Sequence, residues 1–162
     1  MRKLLALAAG VAILAAANWT IYGRERLLAD GRVVLLELAP VDPRSLMQGD
    51  YMALRFAVGD ALQRSVRDGA DGRVIVRLDE RGVGRFARRD EGAALGEREV
   101  ALRYRVREGR VKFATNAFFF QEGHAGDYVG ARFGEFRVAP SGELLLTGLR
   151  GRDLEPLGPA RR

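Results

Sequence analysis

The hydrophobic pattern divides the chain into an uninterrupted apolar run near the N-terminus and a longer region of short segments separated by turn residues. Three pairs of these segments, each joined by a glycine-containing turn, predict β-hairpins over residues 73–88, 100–114 and 133–149. In residues 100–107 apolar and charged positions alternate, as in a half-buried strand. The pattern predicts a mainly β domain, a small antiparallel barrel or sandwich of about eight strands.

Helical signals are slight beyond the N-terminal run. Two short stretches, residues 60–67 and 127–132, are compatible with one or two helical turns. From residue 150 onward glycine, proline and arginine dominate without a period, which predicts a flexible tail. The predicted organisation is an N-terminal membrane anchor over residues 1–23, a β domain over 24–149 and the tail over 150–162.

The apolar run covers residues 4–22 and contains no charged side chain. As a helix, these 19 residues would extend about 28 Å, close to the hydrocarbon thickness of a bilayer. Arg2 and Lys3 precede the run, which favours a cytoplasmic N-terminus. Trp19 and Tyr22 lie near its other end, where aromatic rings favour the membrane interface. The run therefore predicts a single-pass transmembrane helix, that is, a signal-anchor.

Two other interpretations of this run stay open. The three alanines at residues 15–17 fit the small-residue pattern of a signal peptide cleaved after Ala17. A buried core helix is the third interpretation. The anchor and the cleaved signal both export the rest of the chain, so we expect a cell-envelope protein whose C-terminal domain is extracytoplasmic.

Composition narrows the possible chemistry. The 162 residues include no cysteine and one histidine, which excludes disulfides, cysteine nucleophiles and metal sites rich in cysteine or histidine. The 20 glycines favour a turn-rich β domain. We predict neither a metal site nor a cofactor.

The segment 38–58 is the most distinctive part of the domain. Pro43 restrains the residue before it to extended geometry, and Gly49 permits a tight turn into the following strand. In a regular strand the alternate apolar residues would line one face and Tyr51 the other. We expect a loop-to-strand corner in which Asp50 and Tyr51 are either structural or part of a binding site. The alternate apolar residues are Met52, Leu54, Phe56 and Val58.

This segment resembles the GDYXXLXY family, a group of small, membrane-anchored bacterial proteins of unassigned function. The positions that carry the resemblance are Asp42, Pro43, Arg44, Gly49, Asp50, Tyr51, Leu54 and Phe56. Phe56 stands where the family name has tyrosine. A looser second motif is the aromatic stretch that ends in Phe120, Glu122 and Gly123. The resemblance implies a bacterial inner-membrane protein with a periplasmic domain and a multi-pass membrane protein as its partner.

One enzymatic alternative stays open: a membrane-anchored serine hydrolase that resembles signal peptidase, with Ser45 as the nucleophile. Such chemistry needs a base, which signal peptidases supply as lysine. The two lysines here are Lys3, on the cytoplasmic side, and Lys112, on a strand face that we expect to be solvated. His124 lies in a glycine-rich loop, where an exposed histidine is common. We therefore predict a non-enzymatic protein with no catalytic residue.

Arginines are concentrated in two neighbouring hairpins of the domain. They are Arg85, Arg88, Arg89, Arg103, Arg105 and Arg107. We interpret them as a solvated face of interspersed charges, with binding of anionic lipid or a polyanionic envelope component as the alternative. Export argues against nucleic acid as a partner. The predicted function is a membrane-anchored accessory or binding protein that contacts the bilayer through residues 4–22 and acts with an integral membrane partner.

Overall fold

The computed structural model describes residues 2–39, 47–48, 51–115 and 117–159. The helices in this part of the chain are α1 (Arg2–Asp30) and α2 (Ala57–Gln63), with a one-turn 3₁₀ helix at Ala125–Tyr128. The strands are β1 (Arg32–Glu37), β2 (Met47–Gln48), β3 (Tyr51–Ala53), β4 (Asp71–Leu78), β5 (Val83–Arg89), β6 (Glu99–Arg107), β7 (Arg110–Lys112), β8 (Ala117–Phe119), β9 (Phe133–Val138) and β10 (Leu144–Arg150). The prediction of a mainly β domain is confirmed.

Seven of these strands form one curled sheet, a half-barrel, in the order β10-β9-β1-β5-β4-β6-β7. The other three form a small sheet in the order β2-β3-β8. β1 and β5 pair in parallel, whereas the remaining described pairs are antiparallel. The curl brings the β9–β10 turn to β6, where the Arg103 N–H donates to the Gly142 carbonyl at 2.8 Å. A turn rather than a strand pair makes this contact, so the described strands form an open sheet instead of the predicted barrel or sandwich.

All three predicted hairpins are present, as β4–β5, β6–β7 and β9–β10. In the first turn, the Asp79 carboxylate accepts two backbone N–H groups and Gly82 has a φ of +80°. The second turn contains only Glu108 and Gly109, both with positive φ, which matches the twist of the flanking strands. Local turn chemistry thus explains why these three pairings follow from the sequence.

The inner face of the curled sheet carries the hydrophobic core. Its fully or almost fully buried residues include Val34, Leu36, Val74, Val76, Leu102, Tyr104, Val106, Phe136 and Val138. Leu62 of α2 and Phe118 of the small sheet belong to the same cluster, so both sheets share one core. The arginines of β6 occupy its outer positions, as the alternation predicted.

The motif strand is shorter than predicted, because β3 ends at Ala53 and the backbone then turns into α2. The predicted alternation is nevertheless confirmed in burial. The buried alternate residues are Met52, Leu54, Phe56 and Val58. α2 begins before the predicted residues 60–67 because the Phe56 carbonyl already accepts the N–H groups of Gly59 and Asp60.

α1 has 29 residues; its described side chains up to Arg26 are exposed, and Leu27 is buried. Its C-terminal end packs on β9 and β10, and the Arg137 guanidinium donates to the Gly31 carbonyl at 3.1 Å. Among the described residues, no helix combines the length and the hydropathy needed to cross a membrane. The structure therefore does not support the transmembrane helix predicted over residues 4–22.

The residues that follow the large sheet return to it. The sequence predicted a flexible tail from residue 150, but Arg150 is the last residue of β10 and forms a bridge with Pro156. The Leu157 N–H donates to the Leu149 carbonyl at 3.0 Å, and Leu157 packs against the core. The chain up to Leu157 is thus tied to the domain by backbone hydrogen bonds and apolar contact.

Candidate functional site

The small sheet brings the two sequence motifs together. β3 pairs with β8 so that Tyr51 lies opposite Phe119, with their ring centroids 5.8 Å apart. Phe119 is 72% exposed, so this pair presents an aromatic surface. Several residues singled out in the sequence lie outside the described part of the chain: Asp42, Pro43, Arg44, Ser45, Gly49 and Asp50.

The other residues of the first motif, Leu54 and Phe56, belong to the core. Phe56 is 4% exposed, and its ring meets Phe113 and Phe136 edge-on at centroid distances of 6.2 and 5.3 Å. Gly134 lies against the same ring, because a Cβ at that position would be 2.9 Å from Phe56 Cε1. These two motif residues therefore have a structural role.

The second motif combines an aromatic cluster with a turn. Phe120 stacks on Tyr128 at a centroid distance of 5.4 Å, and Phe118 meets the same ring edge-on at 5.1 Å. Glu122 is exposed in the following turn, and Gly123 has a φ of +83°, a conformation that favours glycine. The motif thus fixes the path of the chain between β8 and the 3₁₀ helix.

Groups suited to acid–base chemistry are not gathered into a catalytic arrangement in the described part of the chain. His124 Nδ1 lies 2.8 Å from Asp127 Oδ2, and both side chains are exposed. Lys112 Nζ lies 3.2 Å from the Glu108 carboxylate on the β6–β7 hairpin. The same residues contain no group of three histidine or carboxylate side chains that could hold a metal ion. Because Ser45 is not described, the absence of enzymatic activity stays a prediction.

A basic cleft of about 830 Å³ lies beside β4, β6, β7 and the start of β10. Its cationic lining consists of Arg24, Arg73, Arg103, Arg105, Arg107 and Lys112. Two carboxylates, those of Asp71 and Glu143, also line it. Arg24 comes from α1, so the helix and the sheet contribute to the same cleft.

Three of the six cations in the basic cleft are paired with carboxylates. These ion pairs are Arg73–Asp90 at 2.6 Å, Arg107–Asp71 at 3.0 Å and Lys112–Glu108 at 3.2 Å. Within the described ranges, no carboxylate lies at ion-pair distance from Arg24, Arg103 or Arg105. These three guanidinium groups outnumber the one further carboxylate in the lining, that of Glu143, so the cleft has a net positive charge.

Arg88 of β5 belongs to a different cluster, centred on Glu99. The Glu99 carboxylate accepts the Arg88 guanidinium at 2.9 Å and the Gly96 N–H at 3.1 Å, and Arg77 lies 3.8 Å away. The hydrogen bond from Gly96 above all, and then the one from Arg88, lower the pKa of Glu99. Arg89 donates to a backbone carbonyl at 3.3 Å. The arginines that we treated as one surface therefore lie in different surroundings: Arg103, Arg105 and Arg107 line the basic cleft, whereas Arg88 pairs with Glu99.

The sequence analysis missed part of the basic cleft and part of the aromatic surface of the small sheet. The alternation in β6 gave the signal for Arg103 and Arg105. No local pattern indicates that Arg24 and Arg73 join them, because Arg73 is placed by the pairing of β4 with β6 and Arg24 by the packing of α1 on the sheet. Phe119 falls within the aromatic stretch of the second motif, yet its place opposite the first motif depends on a pairing between distant segments.

Together these features define a small, mainly β protein with a long N-terminal helix, an aromatic small sheet and a basic cleft. The family model described as "GDYXXLXY protein" matches residues 13–149. The chain therefore belongs to the GDYXXLXY family, which confirms the assignment made from its motifs. Comparison with curated proteins and with solved structures gave no match. Because the family has no assigned function, membership alone does not supply one.

Proposed function

We propose that this protein is a non-enzymatic accessory or binding protein of the bacterial inner membrane. In this proposal α1 is a single-pass anchor with its N-terminus in the cytoplasm, and the β domain is periplasmic or otherwise extracytoplasmic. The small sheet contacts an integral membrane partner. The observation that carries the proposal is the exposed apolar surface of α1.

The described large apolar side chains between residues 7 and 22 of α1 are exposed. Leu7, Val11, Ile13, Leu14, Trp19, Ile21 and Tyr22 are between 55% and 80% exposed. Contact of this much apolar surface with water is unfavourable in proportion to its area. A surface of this kind marks contact with a membrane or a protein partner. Lipid is the better match for residues 4–22, because the run has no charge on any side of the helix.

The polar side chains within the run are satisfied by the helix itself. Asn18 Nδ2 donates to the Leu14 carbonyl and Thr20 Oγ1 donates to the Ala16 carbonyl, both at 2.9 Å. Hydrocarbon offers no water to polar groups, so internal hydrogen bonds of this type are what a lipid environment requires. These bonds lower the cost of placing Asn18 and Thr20 in lipid.

The aromatic surface of the small sheet supports the second part of the proposal. Phe119 is highly exposed beside Tyr51, and large aromatic side chains are enriched where proteins bind each other. The family resemblance supplies the kind of partner, a multi-pass membrane protein. An anchor confines the domain to the membrane surface and so raises its effective concentration near such a partner.

Alkaline carbonate extraction of membranes, followed by immunoblotting, tests the anchor. We expect the wild-type chain to stay in the membrane pellet. Ile13→Arg places a charge near the middle of the run, where insertion costs about 2.5–3.5 kcal/mol, and should move the chain to the supernatant. Leu28→Arg makes the same change beyond the run, at an exposed position, and should leave the chain in the pellet. Recovery of the wild-type chain in the supernatant would contradict the proposal.

Site-specific crosslinking tests the partner surface. A photoreactive phenylalanine analogue at Phe119 should form an adduct that mass spectrometry identifies as a multi-pass membrane protein. The same analogue at Phe86, which is exposed on β5 of the large sheet, should not form that adduct. An equal yield at both positions, or no adduct at Phe119, would argue against the small sheet as the contact surface.

A further inference from the structure

We propose that the basic cleft binds a phosphate group, carried either by a phospholipid headgroup or by a small phosphate ester. The inference rests on three features of the described residues: the placement of like charges opposite each other, the guanidinium groups without a carboxylate at ion-pair distance, and the position of Arg24. The phosphate chemistry is independent of the proposed function. Only the placement of the cleft at headgroup depth depends on it.

The cleft is built from like charges that face each other across strands. Arg73 on β4 lies directly opposite Arg103 on β6, and Arg105 on β6 lies directly opposite Lys112 on β7. On its other side Arg105 lies opposite Asp71 of β4, whose carboxylate pairs with Arg107. Like charges in directly opposed positions destabilise a sheet. Arg73 and Lys112 each have a carboxylate partner, Asp90 and Glu108, so the remaining charge of these two pairs lies on Arg103 and Arg105. This remaining positive charge makes the cleft a candidate site for an anionic ligand.

The neighbouring carboxylates leave part of this charge open to a ligand. Asp90, Asp71 and Glu108 pair with Arg73, Arg107 and Lys112, respectively. Arg24, Arg103 and Arg105 have no such carboxylate within the ranges that the structure describes. A guanidinium group offers a planar fork of N–H donors that matches phosphate oxygens in a bidentate manner. All three open positions carry this group.

The size and position of the cleft indicate how the phosphate is carried. A volume of about 830 Å³ leaves room for a phosphate together with the group that carries it. Arg24 follows the apolar run of residues 4–22 by two positions. If α1 is the anchor, the cleft opens at the level of the headgroups, where basic residues attract anionic lipid. A lipid headgroup is then the source nearest to the site.

Calorimetric titration of the full chain in a non-ionic detergent, at low ionic strength and without phosphate buffer, tests this proposal. The ligands are inorganic phosphate, glycerol 3-phosphate and dihexanoyl phosphatidylglycerol. The cleft variant Arg103→Gln/Arg105→Gln should bind the preferred ligand at least tenfold more weakly than the wild type. The control variant Arg67→Gln/Arg85→Gln removes the same charge from exposed positions outside the cleft lining and should change affinity less than twofold.

Comparison of the titrations with the lipid and with glycerol 3-phosphate distinguishes the two sources of phosphate. Binding of the short-chain lipid alone supports a headgroup site, whereas binding of glycerol 3-phosphate with equal affinity supports a small ester. No binding of any of the three ligands, or an equal loss in the cleft and control variants, would overturn the proposal. Arg24→Gln gives a second test outside the sheet and should weaken binding at least threefold. Failure of membrane anchoring would leave the titration with glycerol 3-phosphate unaffected, so the two proposals fail separately.

Discussion

Truncation of the motif residue Phe56 tests whether the first motif maintains the fold. Phe56 is almost completely buried and meets the rings of Phe113 and Phe136 edge-on. Phe56→Ala removes this ring from a close-packed core, which typically costs about 3–5 kcal/mol of unfolding free energy. A chain of this size loses about 2–4 °C in melting temperature per kcal/mol, so we expect a decrease of about 6–20 °C.

Differential scanning calorimetry in a non-ionic detergent measures this decrease. Intrinsic tryptophan fluorescence is unsuitable, because the single tryptophan, Trp19, lies exposed on α1 far from the core cluster. Phe119→Ala is the matched control, since it makes the same truncation at a residue that is 72% exposed. It should lower the unfolding free energy by less than about 1 kcal/mol. Similar losses in the two variants would refute the structural role of Phe56.

Three further predictions concern stability. Gly134→Ala should lower the unfolding free energy by about 1–3 kcal/mol in the same calorimetric assay, because the new Cβ would lie 2.9 Å from Phe56 Cε1. Gly148→Ala is the control and should have little effect, because a Cβ at that position would have no neighbouring atom within 4 Å. The lowered pKa of Glu99 means that its ionised form stabilises the folded state at pH values above its unfolded-state pKa. This contribution is lost as the pH falls through the lower folded-state pKa. Glu99→Gln should therefore be less stable at neutral pH and lose less stability than the wild type on acidification, as followed by melting temperature against pH. Arg103→Gln relieves a like-charge pair and should raise the unfolding free energy by about 0.2–1 kcal/mol without phosphate, an increase that added salt diminishes.

The parts of the fold that the sequence predicts are local ones. The three hairpins follow from turn chemistry, in which Gly82 and Gly109 adopt the positive φ that their turns require. Burial in the first motif follows from its alternation, even though the backbone leaves the strand at Ala53 and α2 begins soon afterwards. A two-residue period predicts which side chains are inside, but it does not define where a strand stops.

The remaining features depend on contacts between distant segments. The parallel pairing of β1 with β5 and the pairing of Tyr51 with Phe119 have no local signal, because each joins elements separated by several others. The basic cleft depends on the curl of the sheet, which brings Arg24 and the start of β10 near Arg103. Alternation alone predicts that the arginines of β6 lie on a solvated face. Contacts with other elements place part of that face in a cleft.

The orientation of the domain relative to the membrane is the most direct test of the proposed function. The chain has no cysteine, so Arg67→Cys supplies a single thiol at an exposed position of the β domain. We predict that a membrane-impermeant maleimide labels this variant in intact spheroplasts as completely as it does after lysis. Labelling that appears only after lysis would place the domain in the cytoplasm and contradict the proposed location and role.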